Sequence, residues 1–183
     1  MTRHREIAFE DHICARMAAS GWLCAEGDAA RYDRGRALFP PDVVAWVQAT
    51  QPQAWEAIAK THGAGAETML LDRIRKQMDE RGALDVLRFG IELTGLRAPL
   101  KLAQFRPALA MNTDLLALYQ ANRLRVVRQL RYSRANENSI DLVLFLNGLP
   151  IATAELKTDF TQGVQDAVDQ YRFDRLPAPK GQA

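Results

Sequence analysis

The chain has 183 residues, of which 48% are hydrophobic and 25% are charged, and this composition is typical of a folded domain and excludes a disordered chain. The formal net charge of +2 permits nucleic-acid binding without arguing for it, and two cysteines are too few for a disulfide scaffold or a zinc site. No apolar run approaches the roughly 20 residues that span a bilayer, and the N-terminus has no signal-peptide pattern. We therefore expect a single cytoplasmic domain without a membrane segment.

The first half of the chain is predicted to be helical. Residues 5–20 carry Phe9, Ile13 and Met17 at a spacing of four, which predicts a helix with one buried stripe that ends at Gly21. The mixed charges of residues 22–36 indicate a solvated segment. Proline and glycine positions and apolar spacing predict further helices: one from Pro40-Pro41 to about Thr50, one from Pro52, one over 66–81, and one through Leu84, Leu87 and Ile91 to Gly95.

A strand and a basic stretch precede the most informative segment. Asn112 or Thr113 is expected to cap a short helix, and residues 124–132 alternate between apolar and polar positions, as a strand with one solvated face does. Residues 115–136 contain five arginines and no carboxylate side chain, and a patch of this kind can follow a phosphate backbone. A polar outer face is the alternative. The arginines are Arg123, Arg125, Arg128, Arg131 and Arg134.

Residues 137–158 predict a β-hairpin with charges at its open end. Two apolar runs, 142–146 and 151–154, flank Asn147-Gly148, which is a strong hairpin signal. Each run is apolar enough to be covered on both faces. Pairing that is symmetric about Gly148 places residue 145 opposite 151, 143 opposite 153, and Asp141 opposite Glu155.

Two carboxylates and an amine therefore converge, because Lys157 lies on the same face as Glu155. Two like charges at this distance repel each other unless a cation lies between them. Carboxylate oxygens without His or Cys suit Mg²⁺, which can activate a water and polarise a phosphodiester. The alternative is an ordinary ion pair between Glu155 and Lys157, with Asp141 solvated near a turn.

The same residues resemble a known family. Asp141, thirteen residues, and then Glu155-Leu156-Lys157 is similar to the PD-(D/E)xK nuclease signature, with Ile140 in place of proline. The amino-acid sequences of residues 138–150, 154–157 and 168–175 resemble, more specifically, the N-terminal nuclease domain of the R subunit of type I restriction enzymes. The close likeness covers about residues 120–176.

The resemblance implies a fold and a set of site residues. The implied α/β fold is a restriction-endonuclease-like core of order αβββαβ, whose last strand is missing here, with a helical insertion between the first helix and the sheet. Asp141, Glu155 and Lys157 are implied as catalytic. Metal ligands would be Asp141, Glu155, the backbone carbonyl of Leu156, and Glu10 on the first helix, for which a solvated helix face is an equal alternative.

The resemblance is weaker after the hairpin. Residues 161–176 are predicted to form a helix, and relatives carry a glutamine four residues before a tyrosine there. In this chain that position is Ala167. Whether Gln165 or Gln170 replaces it is open. The residues expected to contact DNA are Arg123, Arg125, Arg131, Gln170 and Tyr171.

These expectations combine into one functional hypothesis with two alternatives. The chain would be a Mg²⁺-dependent type I site-specific deoxyribonuclease domain in which a metal-activated water attacks double-stranded DNA. No Walker motif occurs, so ATP would serve only a motor outside this fragment, and methyltransferase and specificity subunits would be the partners. The alternatives are a non-catalytic docking or DNA-binding module that joins the motor to the methyltransferase, and another PD-(D/E)xK branch such as a repair exonuclease. The expected parts of the single 1–183 fragment are a first core helix (1–21), a helical elaboration (28–95), the sheet and second helix (112–176), and a linker-like tail (177–183).

Overall fold

The computed structural model describes residues 2–109, 111–156, 168–169 and 172–173. This part of the chain combines helices with one sheet, which agrees with the predicted α/β class. None of the described helices combines the length and hydrophobicity that crossing a bilayer requires. Short 3-10 turns lie at Asp28–Arg31 and Gly63–Gly65. The elements are α1 (Thr2–Ala19), α2 (Pro40–Thr50), α3 (Pro52–His62), α4 (Ala66–Arg81), α5 (Ala83–Phe89), α6 (Thr113–Gln120), β1 (Leu124–Arg131), β2 (Ser139–Leu146) and β3 (Leu149–Ala154).

The three strands form an antiparallel sheet in the order β1-β2-β3, and the predicted hairpin is present. Its turn residues, Asn147 and Gly148, have φ angles of 49° and 84°, as a two-residue type I′ turn requires. The expected pairing of residues 143 and 153 is confirmed. Phe145 pairs with Pro150 instead of residue 151, because the pairs next to the two-residue turn are shifted by one residue from the predicted register. A bulge at Leu144/Phe145 then restores the predicted register.

The turn of this hairpin is buried against the helical layer. A Cβ atom at Gly148 would lie 2.5 Å from the carbonyl oxygen of Phe39 and 2.5 Å from a methyl group of Val43, so only glycine fits there. The Phe39 amide donates a hydrogen bond of 2.8 Å to the Gly148 carbonyl. Asn147 donates from its side chain to the Leu102 carbonyl at 2.9 Å. Helix α2 therefore fixes the position of the hairpin.

Separate apolar clusters cover the two faces of the sheet. On one face Val126 and Leu142 pack with Cys14 of α1. On the other face Phe145 packs with Phe39, at 6.0 Å between ring centroids. A third and larger cluster lies among α2, α3, α4 and α5 and includes Leu149 of β3. The sheet is thus held between α1 and the segment that leads into α2.

Several predicted helix limits are confirmed, since α2 begins at Pro40 and ends at Thr50, α3 begins at Pro52, and α4 spans the predicted 66–81. The helix through residue 91 ends earlier, at Phe89, because Gly90 has a φ of 80° and Ile91 forms a bridge with Leu100. The buried stripe of α1 is also different. Phe9 is 53% exposed, and Glu10 and Cys14 face the sheet instead.

The prediction that both hairpin strands are covered on both faces holds for β2 and is wrong for β3. Leu142, Val143 and Phe145 are buried, whereas residues 151–153 are exposed. Within the described residues no strand pairs with the far edge of β3. The predicted helix over 161–176 lies outside the described residues, except for the four at 168–169 and 172–173.

Candidate functional site

The open end of the hairpin lies beside α1, where two carboxylates share one donor. The side-chain nitrogen of Gln129, on β1, donates to Glu10 Oε1 at 2.6 Å and to Asp141 Oδ1 at 3.2 Å. Glu10 comes from α1 and Asp141 from β2, so three elements meet at this point. The structure therefore brings together Asp141 and the glutamate that the resemblance assigned to the first helix.

The second oxygen of Asp141 is occupied by the main chain. Asp141 Oδ2 accepts from the Leu156 amide at 2.7 Å. The ladder of the hairpin ends at the Leu142–Ala154 pair, so Glu155 directly follows the last paired residue and its side chain is half-buried. Lys157, the third predicted catalytic residue, lies outside the described residues.

Gln129 has a backbone conformation that is rare for its residue type. Its φ angle is 47°, in the left-handed region, although it stands inside a strand. The neighbouring pairs on either side, Arg128 with Leu142 and Leu130 with Ile140, are in register. The hydroxyl of Ser139 donates to Gln129 Oε1 at 3.0 Å, so the nitrogen is the atom that faces the carboxylates.

The electrostatics of Glu10 follow from its burial, since its side chain is only 4% exposed. Burial raises the pKa of this carboxyl above its ordinary value, and the nearby charge of Asp141 raises it further, while the hydrogen bond from Gln129 acts in the opposite direction. A cation would stabilise two acidic groups that lie close together with limited solvation.

A cleft of about 1000 Å³ opens from the carboxylates. Its lining also includes Arg34 and Arg131, and Glu137 lies between these two arginines. Glu137 Oε2 is 2.7 Å from Arg131 Nη1, and Glu137 Oε1 is 3.4 Å from Arg34 Nη1. The cleft thus has an acidic end and an end with two guanidinium groups around one carboxylate.

Arg125 and Arg123 do not have the surroundings expected of DNA contacts. Arg125 is 5% exposed and forms ion pairs with Asp42 at 2.6 Å and Asp28 at 2.5 Å. Its guanidinium also lies 4.3 Å from the ring centroid of Phe39. Arg123 is partly exposed and pairs with Asp42 at 2.8 Å. The expectation for Arg125 is corrected: it faces the interior, where it pairs with Asp28, from the segment assumed to be solvated, and with Asp42 of α2.

The other residues predicted to contact DNA lie partly inside and partly outside the described residues. Arg131 is exposed on the cleft wall, as a phosphate contact requires, whereas Gln170 and Tyr171 lie outside the described residues. Sequence reasoning missed Gln129 and Arg34. No pattern singles out a glutamine within a strand, and the opposite charges around Arg34 suggested a solvated loop.

The donors at this site suit a hard divalent cation. Glu10 and Asp141 offer carboxylate oxygens, which Mg²⁺ and Mn²⁺ prefer, and none of the described residues that line the cleft has a sulfur or an imidazole. Within the described ranges, no group of three or more His, Cys, Asp and Glu side chains is arranged to hold a metal ion. The two carboxylates that converge on one positively polarised amide are the part of such a site that the structure describes.

Comparison with known proteins agrees with the resemblance read from the sequence. A family model described as type I restriction enzyme R protein N terminus matches residues 51–180. The matched region contains Gln129, Asp141, Glu155 and Lys157 and leaves out α1 with Glu10. Searches of curated proteins and of solved structures gave no match.

Proposed function

Because the chain belongs to the family of type I restriction enzyme R protein N-terminal regions, we propose that it is the DNA-cleaving domain of such an enzyme. The proposed reaction is Mg²⁺-dependent hydrolysis of phosphodiester bonds in double-stranded DNA, on a PD-(D/E)xK site. The observation that carries the proposal is the meeting of Glu10 and Asp141 at the open end of the hairpin, through one shared donor.

The metal would be held by Asp141, Glu155, the backbone carbonyl of Leu156, and Glu10. When bound, Mg²⁺ supplies activation of a water molecule and neutralisation of charge on the phosphate. The residues of the chain position these ligands: the Leu156 amide fixes one oxygen of Asp141, and α1 keeps Glu10 out of solvent. Lys157 would orient the attacking water, as the family resemblance implies.

The cleft supports a path for the DNA backbone. Arg131 and Arg34 line the same cleft as the carboxylates and offer planar donors that match phosphate oxygens. Glu137 neutralises part of this charge in the structure described here. In the proposed complex a phosphate takes the place of Glu137 between the two arginines.

Substitution of Asp141 by asparagine tests the proposal, because it removes the charge and keeps the size of the side chain. In the complete restriction enzyme with Mg²⁺ and ATP, Asp141→Asn should abolish DNA cleavage and leave ATP hydrolysis and subunit assembly unchanged. The matched control is Asp79→Asn, since Asp79 is exposed on α4 and pairs with Arg75 across one helical turn. Cleavage by the Asp141→Asn enzyme at the parental rate would refute the proposal.

A specific observation also favours the second candidate function, a docking module. Helix α6 has no buried residue, and apolar side chains along and just before it are exposed, including Phe105, Met111, Leu115 and Tyr119. This surface lies outside the 28–95 region that the sequence suggested for docking. Loss of subunit assembly in Leu115→Lys, together with full cleavage by Asp141→Asn, would favour docking over catalysis.

A further inference from the structure

We infer that Gln129 is a positioning residue whose side-chain amide occupies the cation position between Glu10 and Asp141 and must leave before a divalent cation binds. The inference rests on the proposed metal site and adds a closed state to it. In that state the neutral side-chain amide of Gln129 donates hydrogen bonds to both carboxylates.

The first step concerns the atoms that the amide engages. One nitrogen of Gln129 donates to an oxygen of Glu10 at 2.6 Å and to an oxygen of Asp141 at 3.2 Å. A cation that bridges the same two oxygens would stand where this nitrogen stands. Amide and cation therefore compete for one position.

The second step concerns Asp141, whose two oxygens both accept hydrogen bonds. The bond at Oδ2 comes from the Leu156 main-chain amide at 2.7 Å, and the bond at Oδ1 comes from the Gln129 side chain. The main-chain donor is part of the backbone two residues after the last paired residue, Ala154, whereas the side-chain donor can leave by rotation about its own bonds. Gln129 is thus the group that a cation can displace at the lower cost.

The third step concerns how the amide is held in place. Gln129 keeps a left-handed backbone with a φ of 47° inside β1, a conformation that persists only when the surroundings impose it. The Ser139 hydroxyl donates to Gln129 Oε1 at 3.0 Å and leaves the nitrogen to face the carboxylates. Backbone, serine and carboxylates together hold the amide in the closed position.

The test measures Mn²⁺ binding by calorimetry on the chelator-treated chain, without DNA. Gln129→Gly removes the amide, and glycine tolerates the left-handed backbone. We expect this variant to bind Mn²⁺ more tightly than the parent by about tenfold, equivalent to about 1.4 kcal/mol. Ser139→Ala, which only loosens the amide, should tighten binding by a smaller factor. The matched control is Gln48→Ala, because Gln48 is an exposed glutamine on α2 and is not one of the described residues that line the cleft.

The outcomes separate this inference from the proposed function. Tighter binding in Gln129→Gly that is lost in the double variant with Asp141→Asn supports both. Equal or weaker binding in Gln129→Gly and Ser139→Ala, with binding in the parent, overturns the competition between amide and cation and leaves the metal site in place. Absence of binding in the parent and in every variant overturns the inference together with the metal site. Thermal unfolding of each variant shows that it is folded, and Ser139→Ala carries the test if Gln129→Gly does not fold.

Discussion

Replacing Arg125 by methionine should destabilise the protein strongly, although the sequence suggested that this arginine contacts DNA. The guanidinium makes ion pairs of 2.6 Å and 2.5 Å with Asp42 and Asp28, and all three side chains are almost fully buried. After the substitution Asp42 keeps Arg123, whereas the nearest cation to Asp28 is Arg31, at 3.6 Å.

The size of the effect follows from breaking a buried ion pair, which costs about 3–5 kcal/mol because a charge is left buried without its partner. For a chain of this length each kcal/mol lowers the melting temperature by roughly 2–4 °C, so Arg125→Met should melt about 10 °C below the parent. Urea unfolding, followed by tryptophan fluorescence, measures the free energy of unfolding, and Trp46 in the core reports the transition.

Two controls make this prediction specific. Arg131→Met removes an arginine that is exposed and paired with one exposed carboxylate, so it should change the free energy of unfolding by less than about 1 kcal/mol. The triple variant Arg125→Met, Asp28→Asn, Asp42→Asn should regain most of the lost stability, because no charge remains buried alone. Arg125→Met with parental stability, or a triple variant as unstable as the single one, would refute the reasoning.

DNA affinity should fall in Arg131→Met, with a weaker dependence on salt.

Two further predictions concern the hairpin and the site. Gly148→Ala should destabilise the protein by more than about 1 kcal/mol, because alanine disfavours the positive φ and its Cβ would meet Phe39; a urea midpoint equal to that of the parent would contradict the buried turn. Glu10→Gln should raise the melting temperature in chelator at pH 7 and not at pH 4. Burial and Asp141 raise the pKa of Glu10 in the folded state, so the parent loses stability as the pH rises through the interval above the ordinary glutamate pKa. An equal effect at both pH values would show that charge is not the cause.

The local signals in the sequence predicted local structure well. Asn147-Gly148 determines a type I′ turn because both residues accept positive φ, and prolines mark the first turns of α2 and α3. The predicted pairing of 143 with 153 is present, although it depends on a bulge at Leu144/Phe145 that the sequence did not indicate. These features depend on residues close together in the chain.

Contacts between distant segments were less predictable. Arg125 lies 97 residues from Asp28 and 83 from Asp42, and the alternation of the strand gave no sign that a buried guanidinium would find two carboxylates there. Gln129 was missed for a similar reason, since its partners Glu10 and Asp141 come from two other elements. Asp141 was found because the hairpin register predicted it opposite Glu155 and the family signature names it, whereas the helix face of Glu10 was settled only by tertiary packing.

The buried turn of the hairpin has a consequence for where the domain opens. Most hairpins expose their turns and bury their strands, whereas here Asn147 and Gly148 are among the most enclosed residues and 151–153 are exposed. Local opening begins where buried contacts are fewest, so amide hydrogen exchange should be slowest beside the turn and faster toward Asp141 and Leu156. The carboxylates would then lie at the end of the hairpin with the least protection from exchange, while the most protected end is anchored in α2. Ligand exchange at the site therefore need not disturb the core.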